Sequence, residues 1–183
     1  MRIRAAAAED APSLGCVMVE SWLSAHRGQI PEAAWQRRVA EWTPEVSSRG
    51  WAGLLLARAD GSAPRDVLLV AEGDAGAIDG LVHGSRAVDD ITGAVASILS
   101  LYVATDRRGR GIGASLLRTA ASELAALGFG RLRVDVLTAN HAGRGFYEAL
   151  GGHEAGQGTF DEDGHPLPVT VYEWSDIGVL SRD

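Results

Sequence analysis

The sequence predicts an α/β protein of the α+β type, with a mostly antiparallel mixed sheet of six or seven strands and about four helices. Two observations support this prediction. Short apolar runs typical of strands are interspersed with longer segments whose apolar residues have helical spacing. Only one strand–helix–strand crossover is expected, near the middle of the chain, so most neighbouring strands should be antiparallel.

The N-terminal quarter of the chain is predicted to be mainly helical. Residues 1–6 alternate weakly and favour a first strand. Asp10 is expected to be the N-cap of a helix that runs to about His26 on regularly spaced apolar residues. A second helix is predicted over residues 31–42, and Pro44 is expected to end it because proline disrupts a helical interior.

From about residue 51 onwards the period of the apolar residues changes and strands dominate. The segment 111–127 has apolar residues at helical spacing, and Gly128 is a suitable stop. A loop or hairpin is expected over 156–168, because this stretch is rich in turn residues. The other predicted elements are strands over 67–71, 77–84, 94–103, 131–137 and 169–174 and a short helix over 141–150.

The composition indicates one domain over residues 1–183 and a cytoplasmic location. A chain of 183 residues suits a single domain, and a hydrophobic fraction of 46% is enough for a core without disulfides. The single cysteine, Cys16, excludes an internal disulfide and is expected to be buried. The first residues lack the pattern of a signal peptide, and no apolar run reaches the roughly 18 residues of a membrane span.

Charge and histidine spacing argue against two kinds of ligand. The net charge of −7 disfavours a nucleic-acid partner, because binding to a phosphate backbone requires clustered positive charge. An acidic protein can attract a cationic amine, although the same charge also keeps a protein in solution. His141, His153 and His165 do not have the spacing of metal ligands, so no metal is expected.

A glycine-rich turn between a strand and a helix is the strongest functional signal. Glycine lets the backbone approach an anion closely and adopt a positive φ. Free N–H groups at a helix N-terminus bind phosphate, and arginines add charged donors. The turn therefore predicts a pyrophosphate site. Its sequence is Arg107-Arg108-Gly109-Arg110-Gly111-Ile112-Gly113-Ala114.

Two other interpretations of this turn stay open. One is a capped surface turn that binds no ligand. The other is a dinucleotide site, since Gly109-x-Gly111-x-x-Ala114 fits that fingerprint and an acidic residue, Asp135, follows. The charged residues 105–108 separate the strand from the glycines, and the chain after Asp135 is short for a doubly wound sheet, so the context disfavours a dinucleotide. A P-loop is excluded because no Gly-Lys-Ser/Thr follows the glycines.

Two motifs together resemble those of the GNAT superfamily of acetyl-CoA-dependent N-acetyltransferases. They flank the predicted strand over 131–137, as in that family, and the clear resemblance covers about residues 95–155. It implies a GNAT-like fold in which the two central strands splay into a V. The motifs are Arg108-x-x-Gly111-x-Gly113, preceded by Leu101-Tyr102-Val103, and Asn140 followed by Phe146-Tyr147-Glu148 and Gly151.

The resemblance implies a role for each of these residues. Backbone groups of Leu101 and Val103 would pair with the pantetheine arm of acetyl-CoA, and a bulge near Leu101-Tyr102 would open the V. Asn140 would hydrogen-bond the arm or the thioester region, and Tyr147 would stand near the sulfur. The pyrophosphate would bind the backbone N–H groups of Arg108, Gly109, Arg110, Gly111, Ile112, Gly113 and Ala114.

The implied reaction is acetyl transfer to a primary amine by direct attack in a ternary complex. The attacking amine must be neutral, the carbonyl oxygen gains negative charge, and the departing thiolate needs a proton. The Val103 N–H is suited to the oxyanion, and the Tyr147 hydroxyl is suited to the thiolate. The alternative role for Tyr147 is core packing beside Phe146.

The general base and the acceptor site are less well defined. Ser97 stands where many members of the family have a glutamate, and serine is a poor base. The alternative candidates for the base are Glu20, His83, Asp89, Asp90 and Glu173. The side chains expected to shape the acceptor site are Trp22, His26, Trp35 and Tyr102.

The expected acceptor is a small amine, an amino acid, an antibiotic or a protein N-terminus. A homodimer is an expectation from the family. Because Ser97 replaces the glutamate, the main alternative to an enzyme is a catalytically silent acyl-CoA-binding module that acts as a sensor or partner subunit. A dinucleotide-binding protein is the remote alternative.

Overall fold

The computed structural model describes residues 1–62 and 66–181. In these residues a seven-stranded sheet is combined with five α-helices. No helix in the described residues is long and apolar enough to cross a membrane. The elements are β1 (Arg2–Ala5), α1 (Ala11–His26), α2 (Glu32–Glu41), α3 (Pro44–Ala59), β2 (Asp66–Glu72), β3 (Ile78–Arg86), β4 (Val95–Val103), α4 (Ile112–Ala126), β5 (Arg131–Leu137), α5 (His141–Ala149), β6 (His153–Glu162) and β7 (His165–Trp174).

The order of strands in the sheet is β1-β2-β3-β4-β5-β7-β6. β4 and β5 are parallel neighbours joined by α4, whereas the other five neighbouring pairs are antiparallel. This arrangement confirms the predicted mostly antiparallel mixed sheet with one crossover. It also removes the dinucleotide alternative, which requires a doubly wound, mostly parallel sheet.

The central strands β4 and β5 separate after a few residues. They pair only over Val95–Ile98 and Arg131–Val134. On the other side of β4, the register with β3 shifts between His83 and Gly84, which leaves Leu99 as an extra residue in β4. A bulge of this kind bends its strand. The remainder of β4 therefore diverges from β5.

The wedge between residues 99–103 of β4 and 135–137 of β5 is called the slot below. The splayed V that the resemblance implies is thus present. The bulge lies at Leu99, however, and not near Leu101-Tyr102 as expected, so β4 begins to diverge two residues earlier in the chain.

Helices cover both faces of the sheet and fix the position of the slot. α4 covers one face, where Leu116, Leu117 and Leu124 are completely buried. α1 and α3 cover the other face, where Leu14 and Trp51 pack against β2 and β3. Full burial of one such side chain contributes about 1.5 to 3 kcal/mol. The packing therefore holds α4, and with it the glycine-rich turn at its N-terminus, firmly on the sheet.

Helix α3 corrects the expectation that Pro44 ends the helical region. α2 ends at Glu41, and the Thr43 hydroxyl then accepts a hydrogen bond from the N–H of Val46 at 3.4 Å. Pro44 is the first residue of α3. Proline is tolerated there because the first N–H groups of a helix have no intrahelical partner. The residue that was expected to stop one helix therefore starts the next.

One expectation about α1 is confirmed in part and another is wrong. Asp10 is the N-cap residue of α1, as predicted. The side chain of Asp10 does not cap α1, because its carboxylate accepts a hydrogen bond from the N–H of Ala7 at 2.8 Å and binds Arg4 at 2.6 and 2.9 Å. Cys16 is exposed, not buried. Two helical positions are about 200° apart, so Cys16 is turned away from the buried side chain of Leu14.

The expected loop or hairpin over 156–168 is part of a longer hairpin of β6 and β7. β6 pairs with β7 from His153 to Glu162 and lies at the edge of the sheet. All residues of β6 except Glu162 are exposed. Glu162 is therefore the one buried side chain of β6.

Candidate active site

A cavity of about 1140 Å³ occupies the slot and the space next to it. Its walls come from α1, α2, β4, β5, the turn before α4, α5 and the end of β6. The N-terminus of α4, the open edge of β4 and Tyr147 of α5 therefore face one common space. These are the same three features that the sequence motifs predict as the binding site.

The turn before α4 presents backbone donors to the cavity. Gly109 and Gly111 have φ values of 74° and 77°, a left-handed conformation that glycine adopts without strain. α4 then begins at Ile112 without a side-chain cap, so its first N–H groups have no intrahelical partner. A Cβ atom on Gly113 would lie 3.4 Å from the ring of Phe146, so glycine leaves the turn more room. These donors and the helix dipole form an anion-binding site.

The arginines of the turn have different partners. The Nε atom of Arg108 donates to the carbonyl oxygen of Val103 at 3.2 Å, and a terminal nitrogen donates to the carbonyl oxygen of Ser21 at 3.2 Å. Arg108 thereby ties the turn to β4 and α1. Arg110 is exposed and donates to the carbonyl oxygen of Asp106 at 3.4 Å. Its charge is directed at solvent, where it is available to an anionic ligand.

The register of β4 decides which of its backbone groups face the slot. The N–H of Ala104 donates to the carbonyl oxygen of Asp79 at 2.9 Å, so Ala104 and every second residue before it are directed towards β3. The backbone groups of Leu101 and Val103 consequently point to the slot. There the Val103 carbonyl accepts a hydrogen bond from the Ser21 hydroxyl at 3.0 Å, which leaves the Val103 N–H directed at the cavity.

Tyr147 is a buried phenol whose side chain lines the cavity. It is 8% exposed, and its ring centroid lies 5.0 Å from that of Phe146 and 6.1 Å from that of Trp174. Burial, with a smaller contribution from the hydroxyl of Tyr102, raises the pKa of Tyr147 well above its usual value. Within residues 1–62 and 66–181 its hydroxyl has no hydrogen-bond partner. Tyr147 is therefore protonated, and its donor is free for a ligand.

Asn140 lines the cavity and caps α5 at the same time. Its side-chain oxygen accepts a hydrogen bond from the N–H of Gly143 at 2.9 Å. A Cβ atom on Gly143 would lie 2.7 Å from the amide nitrogen of Asn140, so only glycine fits there without a shift. The cap fixes the start of the helix that carries Tyr147. It leaves the Asn140 amide nitrogen as the group that can donate to a ligand.

Trp22, His26, Arg38 and Trp42 line the cavity together and are called the α1–α2 wall. The Arg38 guanidinium donates to both carboxylate oxygens of Glu162 at 2.7 and 2.5 Å. It also lies 5.1 Å from the ring centroid of Trp22 and 5.1 Å from that of Trp42. Glu162 is only 1% exposed, and a buried carboxylate needs such a partner. The pair therefore holds α2 against the end of β6.

The predicted acceptor-site residues are partly confirmed as neighbours in space. Trp22, His26 and Tyr102 line the cavity, whereas Trp35 stacks on Trp22 with 6.3 Å between the ring centroids and lies outside the lining. Burial raises the pKa of Tyr102 to about 12, so this side chain is neutral. Arg38 was not predicted from the sequence, since its partner lies 124 residues further along the chain and no local pattern reveals the pair.

A model of the acetyltransferase (GNAT) family matches residues 18–152 of the chain. The match spans most of the chain, including the glycine-rich turn, the slot and Tyr147. The chain belongs to this acetyltransferase family. A search of curated proteins found no match.

Solved structures share the fold of this acetyltransferase over nearly the whole chain. An N-acetyltransferase from Staphylococcus aureus Mu50 has a TM-score of 0.71 at 20% identity, covering 96% of this chain and 98% of its own. The PaiA N-acetyltransferase from Thermoplasma acidophilum, in complex with coenzyme A, has a TM-score of 0.68 at 21% identity and coverages of 94% and 98%. A phosphinothricin acetyltransferase from Sinorhizobium meliloti, in complex with acetyl-CoA, has a TM-score of 0.70 at 22% identity. The match covers 94% of this chain and 86% of that one.

The predicted alternatives for the general base of the acetyltransferase lie outside the cavity lining; they are Glu20, His83, Asp89, Asp90 and Glu173. His83 is bonded to Asp66 at 3.0 Å, and Asp89 forms an ion pair with Arg133 at 2.8 Å. These contacts hold the side chains against structural partners. Ser97 does line the cavity, but a hydroxyl is a poor proton acceptor.

Proposed function

We propose that residues 1–183 form a single acetyltransferase domain, located in the cytoplasm, that transfers the acetyl group of acetyl-CoA to a primary amine. The amine attacks directly, in a ternary complex. The observation that carries this proposal is the slot, where the open backbone edge of β4 leads to the N-terminus of α4 beside the buried phenol of Tyr147.

The donor site fits the shape and charge of acetyl-CoA. The N–H groups from Arg108 to Ala114 would bind the pyrophosphate, in line with the free helix N-terminus and the two left-handed glycines. The backbone groups of Leu101 would pair with the amides of the pantetheine arm, because they face the slot and not β3. The expected pairing of Val103 with the arm is limited, because its carbonyl already accepts hydrogen bonds from Ser21 and Arg108. The Asn140 amide nitrogen would donate to the same arm.

The size of the cavity supports a ternary complex. Its volume of about 1140 Å³ exceeds the range of roughly 300 to 1000 Å³ that is usual for one small ligand. The pantetheine arm and an acceptor therefore fit side by side, the acceptor against the α1–α2 wall. Holding both reactants together favours direct attack over an acetylated enzyme intermediate.

The residues around the thioester suit the charges of the reaction. The Val103 N–H would donate to the carbonyl oxygen as it becomes an oxyanion. Tyr147 would give its proton to the departing thiolate, because burial keeps its phenol protonated. After the attack, the amine nitrogen carries one proton more than the amide product. This proton passes to the Tyr147 phenolate and restores the phenol.

The donor is proposed as a single compound, acetyl-CoA, whereas the acceptor is proposed only as a class of amines. Structural neighbours include a ribosomal-protein-alanine N-acetyltransferase from Brucella melitensis and phosphinothricin acetyltransferases, whose names give the alanine of a ribosomal protein and phosphinothricin as acceptors. We propose a primary amine of one of these kinds. The aromatic rings of Trp22 and Trp42 favour an acceptor with an apolar portion next to the amine.

The silent acyl-CoA-binding module remains the second candidate, because Ser97 replaces a catalytic carboxylate. The two are separated by CoA release from acetyl-CoA with a panel of primary amines: propylamine, phenethylamine, spermidine, alanine amide, phosphinothricin and a peptide that starts with alanine. Amine-dependent release, with intersecting double-reciprocal lines for the two substrates, supports the enzyme. Tight CoA binding with no release for any amine, and no effect of Tyr147→Phe, supports the silent module.

A further inference from the structure

Among the described residues, His26 is the only histidine that lines the cavity. It is the last residue of α1 and is 8% exposed. Its ring centroid lies 4.9 Å from that of Trp22, within the α1–α2 wall. An imidazole therefore stands in the wall against which the acceptor amine is proposed to bind.

Hydrogen bonds determine which ring nitrogen of His26 carries the proton. The Gln29 amide nitrogen donates to the carbonyl oxygen of Ala25 at 2.7 Å, so the amide oxygen of Gln29 faces the other way. That oxygen lies 3.0 Å from Nδ1 of His26 and can only accept. Nδ1 therefore holds the proton, and Nε2 carries the lone pair. Across the described chain, Nε2 has no hydrogen-bond partner.

The surroundings of His26 favour the neutral ring. Burial is the largest influence and lowers the pKa of His26, while Gln29 and the carboxylate of Glu162 act in the opposite direction. Arg108 lowers the pKa further. Arg38 is the cation of the α1–α2 wall. It is bound to Glu162, so its positive charge largely offsets the negative charge of that carboxylate. The ring is therefore unprotonated at neutral pH, which is the state a proton acceptor requires.

The other basic groups in the cavity are less suitable. Glu162 has both carboxylate oxygens bound to Arg38. Asp135 lies on β5, with its side chain 45% exposed and 3.4 Å from Arg133. Carboxylates are also weaker bases than imidazole. His26 is the cavity residue that combines a free lone pair with a neutral state and a fixed orientation.

We propose that His26 is the general base of the acetyl transfer, with Nε2 taking a proton from the acceptor ammonium directly or through one water molecule. This inference rests on the proposed function. The N–H bond of the ammonium breaks, and its electron pair stays on nitrogen as the proton moves to Nε2. That pair then forms the new C–N bond, and the C–S bond breaks with its electrons on sulfur, which receives the Tyr147 proton. His26 afterwards releases its proton to solvent, so one proton is produced per turnover.

The test is the pH profile of kcat/KM for wild type and His26→Gln, with acetyl-CoA and the best acceptor of the amine panel. The variant is expected to lose about 10²-fold in kcat/KM at pH 7, while its Kd for acetyl-CoA stays unchanged. Above about pH 10 the amine is already neutral, so the deficit should shrink to less than about tenfold. Wild type should show a bend in kcat/KM at its histidine pKa, and this bend should be absent in the variant, whose kcat/KM should rise with pH up to the pKa of the amine.

His83→Gln is the matched control, because the side chain of His83 is only 13% exposed and its pKa is also lowered, but it lies outside the cavity lining. Its pH profile should follow that of wild type. Should His26→Gln unfold, Gln29→Met carries the test, since it leaves His26 in place and removes the acceptor for Nδ1, together with the hydrogen bond from the Gln29 amide to the carbonyl oxygen of Ala25. It should lower kcat more than it raises KM.

Three results would contradict the assignment, and a fourth would support it. A His26→Gln deficit that is equal at every pH shows a structural role and contradicts the base. Wild-type activity in His26→Gln at pH 7, or in Gln29→Met if the first variant unfolds, also contradicts it. Absence of amine-dependent turnover in wild type contradicts the proposed function and with it the base. Recovery of His26→Gln at high pH supports both.

Discussion

The guanidinium of Arg38 on α2 binds both carboxylate oxygens of Glu162 at the end of β6, with nitrogen–oxygen distances of 2.7 and 2.5 Å. The side chain of Glu162 is 2% exposed, while that of Arg38 is 29% exposed. Next to this pair, Arg37 binds Asp163 with side chains that are 56% and 35% exposed. Two neighbouring arginines therefore bind two neighbouring acids, one pair largely buried and one at the surface.

The first prediction concerns this difference in burial. Arg38→Met should lower the free energy of unfolding by about 3 kcal/mol, because it leaves the Glu162 carboxylate buried without a partner. Arg37→Met should lower it by less than about 1 kcal/mol, since exposed ion pairs contribute little. Urea denaturation of the two variants measures both values. Equal losses would show that the Arg38–Glu162 pair does not anchor α2.

The second prediction concerns the acid at the sulfur. Tyr147→Phe should reduce kcat by roughly 10²-fold and leave the Kd for acetyl-CoA unchanged, because it removes only the transferable proton. Tyr172→Phe is the control: this tyrosine is buried next to Tyr147, but its hydroxyl binds Glu148 and Arg144 instead of lining the cavity. It should keep its kcat. A Tyr147→Phe enzyme with wild-type kcat would remove Tyr147 from the mechanism.

The third prediction concerns the glycines at the two ends of α4. Gly111 before the helix and Gly128 after it have φ values of 77° and 97°, and a Cβ atom added to either would have no neighbouring atom within 4 Å. Alanine at either site should therefore cost about 1 to 2 kcal/mol of stability through backbone strain alone. Only Gly111→Ala should also weaken acetyl-CoA binding, by roughly tenfold, because the phosphate approaches that backbone. Isothermal titration calorimetry with acetyl-CoA measures the two Kd values. Equal Kd values for both variants would contradict a pyrophosphate site at Gly111.

The fourth prediction concerns acid sensitivity at the start of α1. The Arg4 guanidinium and the N–H of Ala7 hold the pKa of Asp10 below its ordinary value of 3.8, although burial opposes them. Since the folded pKa lies below that of the unfolded chain, the carboxylate stabilises the fold fully above pH 3.8, and this contribution is lost as the pH falls through the folded pKa.

Asp10→Asn should accordingly lower the free energy of unfolding at pH 7 by about 2 kcal/mol, because a charge-assisted bond to Arg4 is lost. The variant should also lose less stability than wild type as the pH falls below 3.8. Asp106→Asn, at a side chain that is 76% exposed, should change stability at pH 7 by less than about 0.5 kcal/mol. A parallel decline of wild type and Asp10→Asn in acid would show that another group is responsible.

The sequence could predict the donor site because its signals are local. The glycines, the helix start at Ile112 and the strand before them follow one another in the chain, so their spacing already places them at one end of a helix. Asn140 likewise caps the short helix that contains Tyr147. The alternation of apolar and charged residues also predicted β5. Its apolar side chains are buried in the structure, and its charged ones are more exposed.

The sequence could not predict the parts that depend on distant contacts. β6 covers little of the core, so its residues do not alternate between apolar and polar. Pro44 is compatible with the end of one helix and with the start of the next, and the Thr43 cap decides between them. Glu162 and the role of His26 as a base became apparent only when their neighbours in space were known.

The most direct test of acetyl transfer by this protein uses a labelled acetyl group. The protein is incubated with acetyl-CoA that carries ¹³C in the acetyl group, together with each amine of the panel, and the products are analysed by mass spectrometry. We expect an acetylated amine with the label, formed in equal amount to free CoA, and strongly reduced formation with Tyr147→Phe. Unlabelled amines after prolonged incubation, with acetyl-CoA bound but intact, would contradict the proposed function.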